Sequence, residues 1–319
     1  MQQNCDPNQL HEIARVSRMA LNASELRIDS TLVRQLLRSQ FPQWADLPIV
    51  PMSSGGWCNV AFRLGEQMVV RLPRHCAYVE AISKEYRWLP FLSPMLPYPI
   101  PRAVAMGKPG QGYLWPWLIL RWIDGEIATP ERIANLADFA IEVGHFLTAM
   151  HYIDPAIGPA PGQHNFHRGG SLQHYDAEVQ QALVALSGKI DTKAASDVWE
   201  KALASTWTEP PVWIHGDVSV GNLLVRGGRL HAVIDFGNAG VGDPACDLAM
   251  AWTCFEGTSR DAFQRSLPLD EATWARGRGW ALWKAMVIAA GISTSNAFEA
   301  AQPFRVIGKV VADHCRAEA

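Results

Sequence analysis

The sequence predicts an α+β protein with two lobes, on three observations. The chain has 319 residues, which exceeds the usual size of one domain and gives each of two lobes enough residues to bury its own core. Short β-branched runs separated by glycine are concentrated before residue 124, whereas apolar residues recur at helical spacing from residue 125 onward. We therefore expect an N-terminal lobe over residues 1–124 and a mainly helical C-terminal lobe over residues 125–319.

The N-terminal lobe begins with a predicted helical extension over residues 1–46. Two helical patterns occupy it, at residues 7–21 and 30–41, and Pro42 ends the second. Residues 47–124 then predict a five-stranded antiparallel sheet with one inserted helix at residues 78–92. The predicted strands cover residues 47–52, 59–64, 68–72, 102–106 and 114–122.

The C-terminal lobe is predicted to open with a long buried helix. Thr129 and Pro130 suit an N-cap and a first helical residue, and apolar side chains recur from Ile133 to Met150. Residues 155–171 are rich in Gly, Pro and His, which predicts a long surface loop. Short apolar runs at 212–214, 222–225 and 230–234 predict small β-hairpins within the helical lobe.

Composition argues against two classes of partner. Lys and Arg total 28 against 31 Asp and Glu, so the net charge of −3 provides no basic field for nucleic acid. No basic start is followed by an apolar run, and no stretch approaches the roughly 20 apolar residues that span a bilayer. We expect a cytoplasmic protein that binds neither nucleic acid nor membrane, and no feature predicts an obligate protein partner.

The most specific signal is H-G-D-V-S-V-G-N, followed by I-D-F-G. Asp217 follows a short predicted strand, Asn222 begins the next strand, and Asp235 ends a hairpin arm. Turn formation would explain an Asp or Asn at any one of these positions. The joint order instead favours phosphoryl transfer, which needs oxygen ligands for Mg²⁺ and a carboxylate that orients the attacking hydroxyl.

The pattern H-x-D-x-x-x-x-N with D-F-G after it matches the catalytic and metal loops of kinases, and the sequence resembles the aminoglycoside phosphotransferase family over about residues 48–292. The resemblance implies a protein-kinase-like fold that binds Mg²⁺ and ATP, or GTP, between its lobes. It implies that Asp217 is the base, that Asn222 and Asp235 hold the metal, and that Asp247 supports the catalytic-loop backbone by hydrogen bonds. Asp243 and Pro244 suit the N-cap and first position of the helix that carries Asp247.

The same resemblance assigns nucleotide-binding residues in the N-terminal lobe. Arg71 stands where kinases usually carry a phosphate-binding Lys, and Glu85, rather than Glu80, is its expected ion-pair partner. The connector between the lobes is expected to bind adenine through the Arg121 carbonyl and the Ile123 N–H. The glycine-containing turn expected to cover the ATP phosphates consists of Ser53, Ser54, Gly55 and Gly56.

The segment after D-F-G is too short for the activation loop of a protein kinase, which favours a small-molecule hydroxyl as the acceptor. An aminoglycoside acceptor would make the protein an antibiotic-resistance enzyme. Choline, homoserine, sugars and macrolides remain as alternative acceptors. A non-catalytic nucleotide-binding protein is the contrasting hypothesis, because Arg71 and the irregular glycine turn depart from the kinase pattern.

Three further groups of residues have alternative interpretations. A cationic acceptor would need an acidic pocket, but the acidic residues of the C-terminal region fit exposed helix charges equally well. We expect the tryptophans there to pack in the core and the irregularly spaced histidines to bind no zinc. These groups are Glu256, Asp261, Asp270, Glu271 and Glu299; Trp274, Trp280 and Trp283; and His164, His167 and His174.

Overall fold

The computed structural model describes residues 27–52, 58–295 and 297–318. The helix predicted at residues 7–21 and the turn Ser53 to Gly56 therefore lie outside the described residues. The chain divides into two compact units. The first comprises Met1–Tyr86 and Ala103–Trp122, and the second comprises Arg87–Arg102 and Ile123–Ala319.

The first unit contains a five-stranded antiparallel sheet, which confirms the α+β prediction for this part of the chain. Its spatial order is β1-β2-β3-β5-β4. The longer strands alternate buried and less buried positions, as expected for a sheet with one face on a core. The strands are β1 (Ile49–Pro51), β2 (Asn59–Leu64), β3 (Met68–Pro73), β4 (Ala103–Gly107) and β5 (Trp117–Arg121).

Helix α1 (Ser30–Gln40) shares the hydrophobic core of this sheet. Asp29 caps it, because its Oδ1 accepts hydrogen bonds from the N–H groups of the second and third helical residues at 3.0 Å each. Leu36 and Leu37 are fully buried in one cluster with Phe62 and Trp117. The second predicted helix of the extension is thus part of the packed sheet unit. Helix α2 (Val79–Leu92) follows β3.

The second unit is mainly helical and is organised around helix α8. This helix buries residues around most of its circumference, including Trp274, Trp280 and Trp283, as expected for a helix at the centre of a bundle. It packs against α5, α10 and the 3₁₀ segment Pro244–Ala249. The helices are α3 (Leu136–His151), α4 (Asp176–Ala185), α5 (Thr192–Leu203), α6 (Met250–Thr253), α7 (Gly257–Arg265), α8 (Glu271–Ala289), α9 (Ala297–Ala300) and α10 (Pro303–Ala317).

The three short apolar runs of the second unit are strands, but they belong to two sheets. One antiparallel pair joins β7 to β10, and a three-stranded sheet has the order β6-β8-β9. Both sheets are small, and their ends carry the predicted catalytic motifs. The strands are β6 (Glu126–Ile127), β7 (Val212–Ile214), β8 (Leu223–Arg226), β9 (Arg229–Val233) and β10 (Gly240–Gly242).

The predicted start of the long helix at Thr129 is wrong. Thr129 and Pro130 begin only a 3₁₀ turn, and the Thr129 side chain makes no capping hydrogen bond. The chain then extends so that the Ala134 N–H donates to the Gly228 carbonyl at 3.0 Å. Helix α3 begins afterwards, because the Asn135 side chain accepts the free N–H groups of the first turn.

The prediction of a surface loop at residues 155–171 is also wrong in part. Asn165 is fully buried, and the Pro159 carbonyl accepts a hydrogen bond from the Val241 N–H of β10 at 2.9 Å. Part of the segment therefore packs along the edge of β10, whereas Ala156, Ile157, Ala160 and Gln163 are exposed as predicted. Among the described residues, no helix has both the length and the apolar character that crossing a bilayer requires.

Candidate active site

Asp217 lies in the loop that follows strand β7, with its side chain 32% exposed. Asn222 lies at the other end of this loop, and its Nδ2 donates to the Asp217 carbonyl at 2.9 Å and to Asp217 Oδ2 at 3.2 Å. Gly216 has a φ of +79°, and a Cβ there would lie 2.6 Å from the Asn238 carbonyl oxygen. The loop geometry thus requires glycine immediately before Asp217.

The Asp247 carboxylate stabilises the backbone at the start of this loop. Its Oδ2 accepts the His215 N–H at 2.7 Å and its Oδ1 accepts the Gly216 N–H at 2.8 Å, which confirms the expected backbone support. Burial raises the pKa of Asp247, although His215 and the two backbone N–H groups act in the opposite direction. The predicted capping by Asp243 is also observed, because its Oδ1 accepts the Ala245 N–H at 3.0 Å.

The backbone brings Asp235 to the same end of the small sheets. The Ile234 N–H donates to the Asn222 carbonyl at 2.9 Å, and the Ile234 carbonyl lies 3.1 Å from His215 Nε2. Asp235 follows directly, with φ 66° and ψ 69° in the left-handed region. The structure therefore places Asn222, Asp235 and the Asp217 loop side by side, as the motif order predicts.

The donor set fits Mg²⁺ on chemical grounds. Because Asn222 Nδ2 faces Asp217, the amide Oδ1 is the atom of that side chain left to coordinate a cation. Asp235 adds a carboxylate. Among the residues that the structure describes, no group of three His, Cys, Asp or Glu side chains could hold a metal ion. A site with few protein oxygens is typical of Mg²⁺, which is held by one or two side chains together with phosphates and water.

Positive charges act on the Asp217 carboxylate. Lys284 Nζ, on α8, lies 3.7 Å from Asp217 Oδ1 and 2.6 Å from Glu299 Oε1. Burial alone would raise the pKa of Asp217, but Lys284, Arg168, His215 and the hydrogen bond from Asn222 outweigh it, so the pKa lies below its ordinary value. Asp217 is therefore ionised at neutral pH and able to accept a proton.

In the first unit, Arg71 on β3 pairs with Glu85 on α2. Arg71 Nη1 lies 2.7 Å from Oε1 and 2.8 Å from Oε2, and the Glu85 side chain is completely buried. This pairing agrees with the choice of Glu85 over Glu80. Lys84 was not singled out from the sequence, and its pKa falls to about 8 because it is buried, although Glu80 and Glu85 oppose the shift.

The residues predicted to bind the adenine base and the acidic residues of the C-terminal region have other surroundings. Arg121 ends β5, with its Nη1 3.0 Å from Gln67 Oε1, and Ile123 lies in the connector that follows. Four of the acidic residues of the C-terminal region bind their own local partners. Glu256 pairs with Arg305 and Lys309, Asp270 caps α8, Glu271 pairs with Arg278, and Glu299 pairs with Lys284.

Comparison with known proteins identifies the family. The profile of the APH phosphotransferase enzyme family matches residues 51–280, which is well over half of the chain. The chain belongs to this family. The matched range includes Arg71 and Glu85 as well as Asp217, Asn222 and Asp235, which we call the Asp217 cluster, so both predicted groups lie within the APH region.

Curated APH relatives match over shorter segments. An aminoglycoside 3'-phosphotransferase of Escherichia coli is 43% identical over 63 residues, which cover 19% of this chain and 23% of the relative. A second aminoglycoside 3'-phosphotransferase of the same species is 30% identical over 148 residues, covering 43% of this chain and 52% of the relative. The alignments thus span about half, or less, of the length of these relatives.

Solved structures match almost the whole APH-family chain. The GDP complex of a mutant aminoglycoside 2'-phosphotransferase-IIIa has a TM-score of 0.66 at 19% identity, over 91% of this chain and 100% of that chain. The macrolide 2'-phosphotransferase of Brachybacterium faecium has a TM-score of 0.56 at 20% identity, over 88% of this chain and 98% of that chain. At these identities the likeness establishes the fold.

Sequence reasoning missed two side chains of this APH-family site. Arg168 and Lys284 both act on Asp217, yet each lies far from it along the chain. Arg168 belongs to a segment predicted as a surface loop, and Lys284 is one charge on a long helix. The available signal was a Lys within an otherwise apolar run, W-A-L-W-K-A-M-V-I-A at residues 280–289, where a solvated charge is not expected.

Proposed function

We propose that this chain is a nucleotide-dependent phosphotransferase that moves the γ-phosphoryl group of ATP or GTP to a hydroxyl of a small molecule. The observation that carries this proposal is the cluster of Asp217, Asn222 and Asp235, braced by Asp247. Family membership supports it. The fold alone would not, since one fold hosts many functions.

Asp217 would orient the acceptor hydroxyl and receive its proton. As the hydroxyl oxygen bonds to the γ-phosphorus, the bond to the β–γ bridging oxygen breaks and the nucleoside diphosphate leaves. The lowered pKa of Asp217 keeps the carboxylate charged at neutral pH, so it accepts a hydrogen bond from the hydroxyl before transfer. Asn222 fixes this carboxylate through Nδ2.

Asn222 Oδ1 and the Asp235 carboxylate would hold Mg²⁺. The ion, when bound, neutralises charge on the nucleotide phosphates. Ser53, Ser54, Gly55 and Gly56 would contact those phosphates. The backbone at Arg121 and Ile123 would bind the base.

Arg71 would take the phosphate-binding role of the usual Lys. Its guanidinium is held by a completely buried carboxylate, which is the arrangement expected of a fixed phosphate ligand. This fixed pair removes one ground for the non-catalytic nucleotide-binding alternative, because Arg71 retains a buried ion-pair partner although the usual Lys is absent.

The decisive experiment measures acceptor-dependent release of ADP or GDP. Solved structures of this fold include complexes with kanamycin, gentamicin and streptomycin and a macrolide phosphotransferase. These aminoglycosides and macrolides therefore belong in the acceptor panel with choline, homoserine and sugars. We expect Asp217→Ala to lower transfer by about 10²–10⁴-fold. Asp217→Asn is the matched variant that keeps the size of the side chain, and both variants should bind nucleotide as the parent does.

Unchanged turnover in either variant would remove Asp217 from its proposed role. Tight nucleotide binding without diphosphate release for any acceptor would favour the non-catalytic alternative.

A further inference from the structure

Arg168 lies in a strained segment beside the Asp217 cluster. Phe166 and His167 have φ values of 52° and 53°, which bulky residues seldom adopt, and Gly169 follows with φ +77°. The buried Asn165 side chain donates to the Arg168 carbonyl at 3.0 Å and holds this backbone in place. Strained backbone that the surrounding structure maintains is common at ligand sites.

The Arg168 side chain stacks on two buried indoles. Its Cζ lies 5.0 Å from the Trp280 ring centroid and 4.9 Å from that of Trp283. Trp283 is itself fixed, because its Nε1 donates to Glu178 Oε2 at 2.8 Å. Stacking uses the faces of a guanidinium and leaves its in-plane N–H groups for an acceptor.

No such acceptor exists in the described part of the chain. Arg168 Nε is buried without a hydrogen-bond partner, and no carboxylate of the described residues lies within ion-pair distance of the guanidinium. Buried polar groups are normally satisfied, so an orphaned guanidinium nitrogen requires an explanation. A ligand that supplies coplanar oxygen atoms would satisfy it.

Lys284 places a second cation at the same cluster, directly after Trp283 on α8. It lies 3.7 Å from Asp217 Oδ1, so it flanks the carboxylate that Arg168 also influences. Three of the five acidic residues predicted for a polycationic acceptor, Glu256, Asp270 and Glu271, bind local partners away from Asp217. Glu299 pairs with Lys284 itself at 2.6 Å. Lys284 is thus shared by two carboxylates, and Arg168 is the cation of this cluster that is left for an incoming anion.

We propose that Arg168 and Lys284 form an oxyanion-binding subsite beside Asp217, which accepts a phosphate or carboxylate group. Two sources share this chemistry: an anionic group on the acceptor molecule, and the phosphoryl group in transit. The assignment of either source rests on the proposed phosphotransfer, whereas the binding of an oxyanion does not.

The first test measures binding of inorganic sulfate by isothermal titration calorimetry, with saturating Mg²⁺ and ADP present in all samples, so that the position of the transferred phosphoryl group is left open. Arg168→Gln should weaken sulfate binding by about 10- to 100-fold, as expected for loss of charge-assisted hydrogen bonds. Arg168→Lys should recover part of the affinity because it keeps the charge. Arg305→Gln, which removes an exposed Arg from α10, is the matched control and should bind as the parent does.

Equal sulfate affinity in the parent and Arg168→Gln, with near-ultraviolet circular dichroism unchanged, would overturn the subsite. The subsite would also be overturned if the parent protein binds no sulfate. Because this arm requires no turnover, its outcome is independent of whether the protein proves to be a phosphotransferase.

The second test separates the two sources by steady-state kinetics with any acceptor that gives Asp217-dependent turnover. A raised acceptor KM with little change in kcat in Arg168→Gln identifies an anionic group on the acceptor. A lowered kcat with unchanged acceptor KM identifies the transferred phosphoryl group. Efficient Asp217-dependent turnover of a polycationic aminoglycoside, unaffected by Arg168→Gln, would overturn the proposal while leaving the phosphotransferase function intact.

Discussion

The carboxylate of Asp247 should be a principal stabiliser of the Asp217 loop. It is almost completely buried and accepts two backbone N–H groups, from His215 at 2.7 Å and from Gly216 at 2.8 Å. Asp247→Ala would remove both acceptors and leave both donors buried. No other described acceptor bonds to these two N–H groups.

The magnitude follows from those two hydrogen bonds. A hydrogen bond to a charged group contributes about 1.5–3 kcal/mol, and an unsatisfied buried donor costs about 1–3 kcal/mol. Two such losses predict that Asp247→Ala lowers the free energy of unfolding by about 3–6 kcal/mol. Asp247→Asn keeps one acceptor oxygen and should lose about half of that amount.

Urea unfolding, followed by tryptophan fluorescence, measures the effect as a shift in the midpoint at constant slope. Asp191→Ala is the control, because Asp191 accepts one exposed N–H at the start of α5 and should contribute only about 1 kcal/mol. If Asp247→Ala proves no more destabilising than Asp191→Ala, the backbone support does not operate as described.

Two further predictions concern charged pairs. Arg71→Ala should lower the free energy of unfolding by about 3–5 kcal/mol, because it removes the 2.7 Å ion pair from the completely buried Glu85 carboxylate, and Arg71→Lys should lose less. A loss of unfolding free energy below about 1 kcal/mol, measured by urea unfolding of Arg71→Ala, would contradict this. Lys284→Met should raise the pKa of Asp217, since Lys284 now holds it down alongside Arg168, and so move the acid limb of the kcat/KM pH profile to higher pH. An acid limb that stays in place would show that Lys284 has no influence on the base.

The proximity of Asp217, Asn222 and Asp235 could be predicted from the sequence because the relevant information is local. The spacing of Asp217, Asn222 and Asp235 follows from short strands and turns, so order along the chain specifies position in space. The Arg71 pairing was implied by the family resemblance, in which Glu85 precedes the apolar run of its helix, and the structure shows the pair.

Arg168 and Lys284 could not be predicted in this way. Their proximity to Asp217 depends on how a strained loop and helix α8 pack, and hydrophobic periodicity does not encode such distant contacts. The Thr129 cap was wrong for a related reason. A hydrogen bond to Gly228, almost a hundred residues away, extends the chain at Ala134 and delays the helix until Asn135 can cap it.

At Asp235 the backbone conformation lowers stability, whereas the side chain is proposed to serve activity. A non-glycine residue held there costs of order 1 kcal/mol or more, which glycine would not incur. Asp235→Gly would therefore relieve the backbone while removing the proposed metal ligand. In a population no longer exposed to the acceptor, selection would no longer oppose the substitution of Asp235 by Gly, which gives a more stable but inactive protein. Persistence of Asp at this position would therefore indicate continuing selection for turnover.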